Sequence, residues 1–362
     1  MGSEMCIRDR AFRAALARSR RGELGRALRL SMFGDSVVAT DEIPGRLRHL
    51  AVASLGDGGP GFVYAHAPHR FCLHEAITRT AQGTWSTYAV STTGIRDRWY
   101  GFGGSTSQTA GGAVLTRIKG EPVTQVALHY LAQPRGGTLQ ILGDDAATPL
   151  VSVDSRADTP TAQVARVSVP GGAGKVSVRS DGPMRLFGMV LERDGGAVVD
   201  NLGIVSVTAK NFTRNDRAHW ISQVRARQPD LVMVMMGANE AQWLQGGAAE
   251  MREYTARFSE LLAPIREGGA PCLVISPLDQ VEVNEGNIVS RKIAPRLVEA
   301  QRAAAAVAGC GFFDTLAWMG GPGSAVRWRR RGWLGGDYIH LTKKGSEKLG
   351  DALYRALFEE SP

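Results

Sequence analysis

The 362-residue sequence predicts an α/β protein with a three-layer parallel sheet and an inserted antiparallel β-sandwich of jelly-roll-like type. After residue 196, apolar strand-like runs alternate with helix-length segments, as they do around a parallel sheet covered on both faces. Between residues 101 and 195 the runs are short, alternate in polarity and are separated by Gly, Pro and Asp. The apolar run at residues 28–33 belongs with the first pattern, so the sandwich is predicted to interrupt one α/β domain.

The individual elements follow from the spacing of apolar residues. The Arg/Ala-rich residues 11–27 are predicted to be a helix or a tail, and residues 37–55 have helical spacing, with Pro44 early in that helix or interrupting it. Beyond the insertion, DLVMVMMG, APCLVIS and GFFDT predict strands, and KGSEKLGDALYRALFEE predicts a terminal helix. The predicted organisation is an α/β domain in two parts, residues 11–100 and 196–362, around a sandwich at residues 101–195 that is expected to fold as a unit of its own.

The first ten residues, MGSEMCIRDR, are predicted to be non-native. They resemble the translation of a transposase adapter used in sequencing-library preparation, read from a GTG start. On that interpretation the missing signal peptide carries no information about localisation.

Charge and cysteine content restrict the function only weakly. The net charge of +8 favours anionic partners such as cell-wall glycan, a membrane surface or nucleic acid, although a solvated basic surface is the simpler explanation. Cys272 and Cys310 lie in apolar strand-like runs and are predicted to be buried thiols. No CxxC pair has the spacing of a metal site, and the redox compartment stays undecided.

Two local clusters are candidates for ligand contact. His66, His69, Cys72 and His74 lie close together, but their spacing fits no familiar zinc ligand set, so a loop lining the site is predicted and no metal. The segment RWRRRGW at residues 327–333 is suited to stacking on sugar rings and pairing with carboxylates. No nucleic-acid-binding motif accompanies it, so nucleic acid is not the predicted partner.

Four short motifs lie where strands end or the last helix begins. In a parallel sheet these ends meet at one edge, which would bring Ser36, Asn239, Asp337 and His340 together. A serine hydroxyl needs a base such as His340, and Asp337 can orient the imidazole. The backbone N–H groups of Ser36 and Gly203 and the Asn239 amide can stabilise an oxyanion. The alternative is that these are turn residues, a helix cap and a surface pair.

The motifs resemble those of the SGNH (GDSL) hydrolases. FGDS, DNLGIVS, GANE and DYIH match the family's four blocks in order, across residues 28–60 and 197–355. The resemblance implies that Ser36 is the nucleophile, that Ser36, Gly203 and Asn239 form the oxyanion hole, and that Asp337 and His340 complete the triad. The glycine block matches least well, with Gly203 as its one candidate. No organic cofactor or metal is implied.

A β-sandwich between the serine and glycine blocks looks like the arrangement in peptidoglycan O-acetylesterases and their relatives. The resemblance therefore implies a serine esterase that removes O-acetyl groups from a carbohydrate, with cell-wall peptidoglycan as the expected glycan. A carbohydrate O-acetyltransferase with the same triad and a catalytically inactive glycan-binding protein are the alternatives. The expected partner is an acetylated glycan, and association with the cell wall and a periplasmic or extracellular location are expected with it. The inserted sandwich either binds carbohydrate or forms a wall of the site.

Overall fold

The protein is described by a computed structural model at residues 10–92, 94–145 and 147–359. The ten N-terminal residues that were expected to be non-native lie outside the described residues, with the exception of Arg10. The helices are α1 Arg10–Arg20, α2 Ser36–Ala39, α3 Glu42–Leu55, α4 Ala209–Phe212, α5 Arg217–Arg227, α6 Glu240–Trp243, α7 Ala248–Glu267, α8 Ala294–Ala308, α9 Thr315–Met319, α10 Ser324–Arg330 and α11 Lys343–Phe358. None of the described helices is long and apolar enough to cross a membrane.

A five-stranded parallel sheet forms the centre of the α/β domain. Its spatial order is β13-β1-β14-β15-β18, with all four neighbouring pairs parallel. Strands β1 and β14 are almost wholly buried, which explains their continuous apolar runs. The strands are β1 Leu28–Gly34, β13 Ala197–Gly203, β14 Leu231–Met235, β15 Cys272–Ile275 and β18 Gly311–Phe313.

Two antiparallel sheets make up the β-rich insertion, and a small hairpin, β16 Val281–Asn284 and β17 Asn287–Ser290, lies outside them. One buried apolar cluster, which includes Val114, Leu128, Val176 and Leu186, draws side chains from both sheets. The first sheet contains β2 Gly61–Val63, β4 Ser86–Ala89, β5 Ser105–Thr109, β7 Val123–Ala132, β10 Thr161–Ala173 and β12 Met184–Glu192. The second contains β3 Ile77–Gln82, β6 Gly112–Ile118, β8 Thr138–Leu142, β9 Val151–Asp154 and β11 Lys175–Ser180. The predicted fold class, a parallel sheet with a β-rich insertion, is confirmed.

The expected boundary at residue 101 is too late. Strand β3 pairs with β6, β4 pairs with β5, and β2 pairs with β12, so the antiparallel region begins near residue 61. The sequence of β3, ITRTAQ, is mostly exposed and polar, and therefore gave little apolar alternation to detect.

The insertion and the α/β domain share a core. The ring of Phe33, on β1, contacts the rings of Phe102 and Trp220 at centroid distances of 5.3 and 5.9 Å. Phe102 in turn contacts Phe62 of β2 at 5.4 Å, and its carbonyl accepts a hydrogen bond from the Trp220 indole N–H at 2.9 Å. The two regions are therefore packed together through fully buried aromatic side chains.

Buried charges also join the two regions. Arg227 of α5 donates to Asp200 on β13 and to Glu192 at the end of β12, and all three side chains are at most 4% exposed. Glu192 also accepts from Arg29 of β1, at 2.7 Å. The Asp200 carboxylate further accepts from Phe62 N–H at 2.7 Å and from the Ser31 hydroxyl at 2.6 Å. Each buried charge thus has charged or polar partners from more than one element.

The prediction that Cys272 and Cys310 are buried thiols is wrong, because the two residues form a disulfide. Cys272 begins β15, and Cys310 directly precedes β18, the neighbouring strand in the parallel sheet. Parallel neighbours place their first residues side by side, which the local sequence around each cysteine does not reveal. Cys72 is a buried free thiol.

Candidate active site

Ser36 stands at the carboxyl end of the central strand β1, as the first residue of α2. Asp35 caps this one-turn helix, because its side chain accepts a hydrogen bond from Val37 N–H at 3.0 Å. Gly34 is required at the turn, since a Cβ there would lie 2.2 Å from a methyl carbon of Val38. The turn therefore presents the Ser36 hydroxyl at the edge of the sheet, half-buried.

Asp337 and His340 approach Ser36 from the loop before α11. The Ser36 Oγ lies 2.8 Å from His340 Nε2, and His340 Nδ1 lies 2.7 Å from Asp337 Oδ2. Because a carboxylate only accepts, Nδ1 carries the proton, and Nε2 is free to accept from the serine hydroxyl. The intervening Tyr338 has a φ of 58°, in the left-handed region, which tightens the turn and turns both side chains toward one point.

The electrostatics of the loop keep Asp337 ionised. Burial acts to raise the pKa of Asp337, but hydrogen bonds from the His340 side chain and from the N–H groups of Ile339 and His340 outweigh it, so the pKa is lowered. The two N–H groups lie 3.0 and 3.1 Å from Asp337 Oδ1. Asp337 and His340 are 48% and 42% exposed, so solvent reaches this side of the site.

Asp35 connects the loops of Ser36 and Asn239. Its second carboxylate oxygen accepts from Ala238 N–H at 3.1 Å, and burial raises the pKa of Asp35 to about 6. Asn239 makes no side-chain cap on α6, which excludes the helix-cap alternative. Its amide instead donates one hydrogen to Val207 O at 2.8 Å. An amide has two such hydrogens, so one remains for another acceptor.

Gly203 has a different surrounding from the one expected. Its N–H donates to Asn201 Oδ1 at 3.0 Å, so the predicted oxyanion donor already has a partner. A Cβ at this position would lie 2.3 Å from Ala39 N, which means that the glycine permits α2 to pack directly on β13. Its predicted role as an oxyanion donor stays a prediction, and it requires the bond to Asn201 to open.

Ser206, three residues later, was missed by sequence reasoning. Its φ is 60°, an uncommon conformation for a serine, and the residue is exposed in the loop after β13. The adjacent residue Val207 is the one whose carbonyl holds the Asn239 amide. Backbone conformation was the only signal for Ser206, and the sequence does not display it.

Glu240 is a buried carboxyl next to Asn239. It is 5% exposed, and its Oε1 accepts from Ala209 N–H at 2.8 Å. Burial raises the pKa of Glu240 to about 7. Asn239 and Glu240 therefore hold Val207, in the loop that contains Ser206, and Ala209, the first residue of α4 after that loop.

The histidine cluster contributes to a cavity whose wall also includes Thr40 and Lys343. His66, His69, Cys72 and His74 line it together, but the described residues contain no group of three or more side chains able to hold a metal ion. His66 stacks on Trp85, while His74 is buried and bonds Pro60 O at 3.1 Å. These four residues thus line a cavity, and the prediction that their loop lines the active site stays a prediction.

The tryptophans of RWRRRGW do not offer open faces for sugar stacking. Trp328 is 5% exposed and packs edge-on against Trp318 and Trp333. The cationic groups of Arg331 and Lys348 lie over the ring of Trp333, at 4.9 and 4.2 Å from its centroid. The interpretation of this segment as a sugar-stacking site is therefore wrong.

Comparison with known proteins identifies the family. The sequence pattern of the GDSL-like lipase/acylhydrolase family matches residues 169–348. The chain is an SGNH hydrolase. The matched range contains Gly203, Asn239, Asp337 and His340, whereas Ser36 precedes it and reaches the same edge of the sheet through β1. This SGNH hydrolase is thus an ester-hydrolysing enzyme.

One solved structure of similar fold covers almost the whole chain. A peptidoglycan O-acetylesterase superposes with a TM-score of 0.82 at 20% identity, covering 96% of this chain and 95% of that chain. A gut microbial diltiazem-metabolizing enzyme has a TM-score of 0.34 at 19% identity and covers 44% of this SGNH hydrolase and 39% of that chain. An acetyl xylan esterase has a TM-score of 0.32 at 15% identity, with coverages of 44% and 80%. No curated protein matches the chain.

Proposed function

We propose that this hydrolase removes O-acetyl groups from a carbohydrate, with cell-wall peptidoglycan as the glycan, through an acyl-enzyme intermediate on Ser36. The observation that carries the proposal is the continuous hydrogen-bond chain from Ser36 through His340 to Asp337. The likeness in fold to a peptidoglycan O-acetylesterase over almost the whole chain supports the choice of glycan.

In the acylation step, Ser36 Oγ attacks the acetyl carbonyl carbon while His340 Nε2 takes the hydroxyl proton. Asp337 stabilises the resulting imidazolium through Nδ1. The tetrahedral intermediate collapses when the bond to the sugar oxygen breaks, and His340 returns the proton to that oxygen. In deacylation a water molecule follows the same route, which releases acetate and regenerates Ser36.

The oxyanion is stabilised by donors from two loops. We assign the backbone N–H of Ser36 and the second amide hydrogen of Asn239 to this role. The backbone N–H of Ser206 is a better third candidate than that of Gly203, because Gly203 donates to Asn201. The Ser206 loop is held against Asn239 through the carbonyl of Val207.

A periplasmic or extracellular location is proposed with this function. The disulfide between Cys272 and Cys310 supports it, since disulfides persist mainly in oxidising compartments. An accessible cell-wall substrate would also be met there.

The test compares the turnover of chromogenic acetate and octanoate esters and measures acetate release from O-acetylated peptidoglycan. We expect faster turnover of acetate than octanoate esters, and acetate release from peptidoglycan that Ser36→Ala abolishes. A rate that rises steadily with acyl-chain length would instead assign a lipase. Transfer of acetyl to an added sugar, in preference to water, would assign the acetyltransferase alternative.

A further inference from the structure

A large cavity is lined in part by residues that lie close in sequence to Ser36 and His340. Its volume is about 870 Å³, and its wall includes Thr40, at the end of α2, and Lys343, at the start of α11. Thr40 follows Ser36 by four residues, which corresponds to about 6 Å along a helix axis. Other parts of the wall come from β3 and from Lys119 of the β-rich insertion, so the cavity lies where the two regions meet.

The cavity wall carries cations without ionic partners. Arg70, Lys119 and Lys343 are exposed and form no ion pair with another described residue. Arg79 is largely buried and donates to two carbonyls, Tyr64 O at 2.9 Å and Cys72 O at 2.8 Å, rather than to a carboxylate. Burial lowers the pKa of Arg79, because the charged guanidinium group has lost much of its contact with water.

The acidic residues of the wall do not neutralise these cations. Asp41 and Glu75 both accept from Arg48, and Glu75 also contacts His49. Glu42 keeps its charge, since its hydrogen bond comes from the neutral Ser346 hydroxyl, but it forms no ion pair with a described cation of the wall. The exposed ammonium groups of Lys119 and Lys343 therefore remain available to an anion that enters the cavity.

We propose that this cavity binds a carboxylate of the substrate, so that the enzyme acts on O-acetylated glycans that are acidic near the acetyl group. Lysine and arginine recognise carboxylates through charge-assisted hydrogen bonds, which strengthen where a cavity excludes water. The side chain of Leu73, which lines the cavity and is 48% exposed, adds apolar surface for the face of a sugar ring.

The proposal rests on the proposed esterase activity, and its test separates the two. The substrates are a neutral chromogenic acetate ester, neutral acetylated xylan, acetylated polygalacturonate, and O-acetylated peptidoglycan with or without its stem peptides. The last pair distinguishes a peptide carboxylate from a sugar-linked one, and polygalacturonate supplies only sugar carboxylates. The double variant Lys119→Gln/Lys343→Gln removes two exposed cations of the wall.

We expect the double variant to lower kcat/KM for the acidic polymers about tenfold relative to the neutral substrates, mainly through KM, which corresponds to about 1.4 kcal/mol. Raising the salt concentration should have the same selective effect on the wild type. Lys344→Gln is the matched control, because Lys344 is the next residue after Lys343, is also exposed and lies outside the cavity wall. Equal losses on acidic and neutral polymers, or an equal effect of Lys344→Gln, would overturn the carboxylate site.

Failure of the proposed function has a different signature. If the wild type releases no acetate from any ester, binding of non-acetylated peptidoglycan fragments is measured by calorimetry for the wild type and both variants. Weaker binding only in the Lys119→Gln/Lys343→Gln variant would keep the carboxylate site without the esterase. No difference between the three proteins would reject the site as well.

Discussion

The geometry at Ser36 depends on individual residues in conformations that cost free energy. Tyr338 and Ser206 both have a positive φ, with values of 58° and 60°. A non-glycine residue in this region costs about 1–2 kcal/mol, so surrounding contacts must maintain it. In the loop before α11, the Asp337 carboxylate accepts hydrogen bonds from two N–H groups and from the His340 side chain. These bonds maintain the conformation of Tyr338.

Asp337→Asn should reduce kcat by about 10³–10⁴ without unfolding the protein. Asparagine keeps an oxygen for the two N–H groups but presents an amide hydrogen to His340 Nδ1, which favours the wrong tautomer. Steady-state kinetics and thermal unfolding on one sample check this. Asp351→Asn, which affects an ion pair with Arg46 elsewhere on α11, is the control. Full activity of Asp337→Asn would remove Asp337 from the mechanism.

Asn239→Ala should lower kcat by about 10²–10³ with little change in KM, because an oxyanion donor acts mainly in the transition state. Loss of the bond to Val207 O should add a stability cost of about 1 kcal/mol. The kinetic constants and melting temperature separate these effects. A destabilised but fully active variant would exclude Asn239 as a donor.

Glu240 should make stability depend on pH. Burial raises its pKa in the folded protein from 4.5 to about 7, so the folded state binds the proton more tightly than the unfolded state. The stabilising contribution is present below pH 4.5 and is lost as the pH rises to about 7, with a total of about 3 kcal/mol. A glutamine side chain does not titrate. The melting temperature of Glu240→Gln minus that of the wild type should therefore increase as the pH is raised from 4.5 to about 7. A difference that does not vary with pH would contradict the assignment.

At the scale of elements, the position of α2 depends on its close approach to β13. Gly203 leaves space for the backbone of Ala39, and Leu73 N–H donates to Ala39 O at 2.9 Å from the loop on the other side. The short helix that carries Ser36 is thus held between a sheet strand and the loop that lines the basic cavity.

Gly203→Ala should displace α2 and lower both stability and kcat. The added Cβ would lie 2.3 Å from Ala39 N, too close for backbone atoms that cannot rotate away. We expect a loss of about 1–3 kcal/mol, the range for overpacking, and a fall in kcat larger than any change in KM. Gly195→Ala is the matched control, because nothing lies within 4 Å of a Cβ there. Equal behaviour of the two variants would show that the close approach is unimportant.

At the scale of the whole molecule, the sequence predicts the order of elements better than their partners. The run LRLSMFGDS and the motifs at Asn239 and Asp337 were recognisable because each follows a strand or precedes a helix in a fixed order. The disulfide and the hydrogen bond from Gly203 to Asn201 were not, since both depend on which groups meet after folding. The polar strands before residue 101 were missed because exposed strands lack an apolar pattern.

The β-rich region was expected to fold alone, and the shared core argues for the opposite outcome. We expect residues 61–195, expressed alone, to lack a cooperative unfolding transition, because Phe102 would lose its contacts with Phe33 and Trp220. Deleting that region should abolish activity on small esters as well as on glycan. Thermal unfolding of the fragment and ester turnover of the deletion variant check this. A fragment that unfolds cooperatively would restore the independent-domain prediction.

The buried charges between the two regions limit how this protein can be recombined with its relatives. Glu192 belongs to the insertion, while Arg29, Asp200 and Arg227 belong to the α/β domain. A chimera that takes the insertion from a relative without an acidic residue at this position would leave two arginines facing each other in the interior. Removing one partner of a buried pair costs about 3–5 kcal/mol, a large part of the stability of an ordinary domain. Substitutions at these four positions should consequently be inherited together, and crossover points in a designed chimera should be chosen so that the quartet comes from one parent.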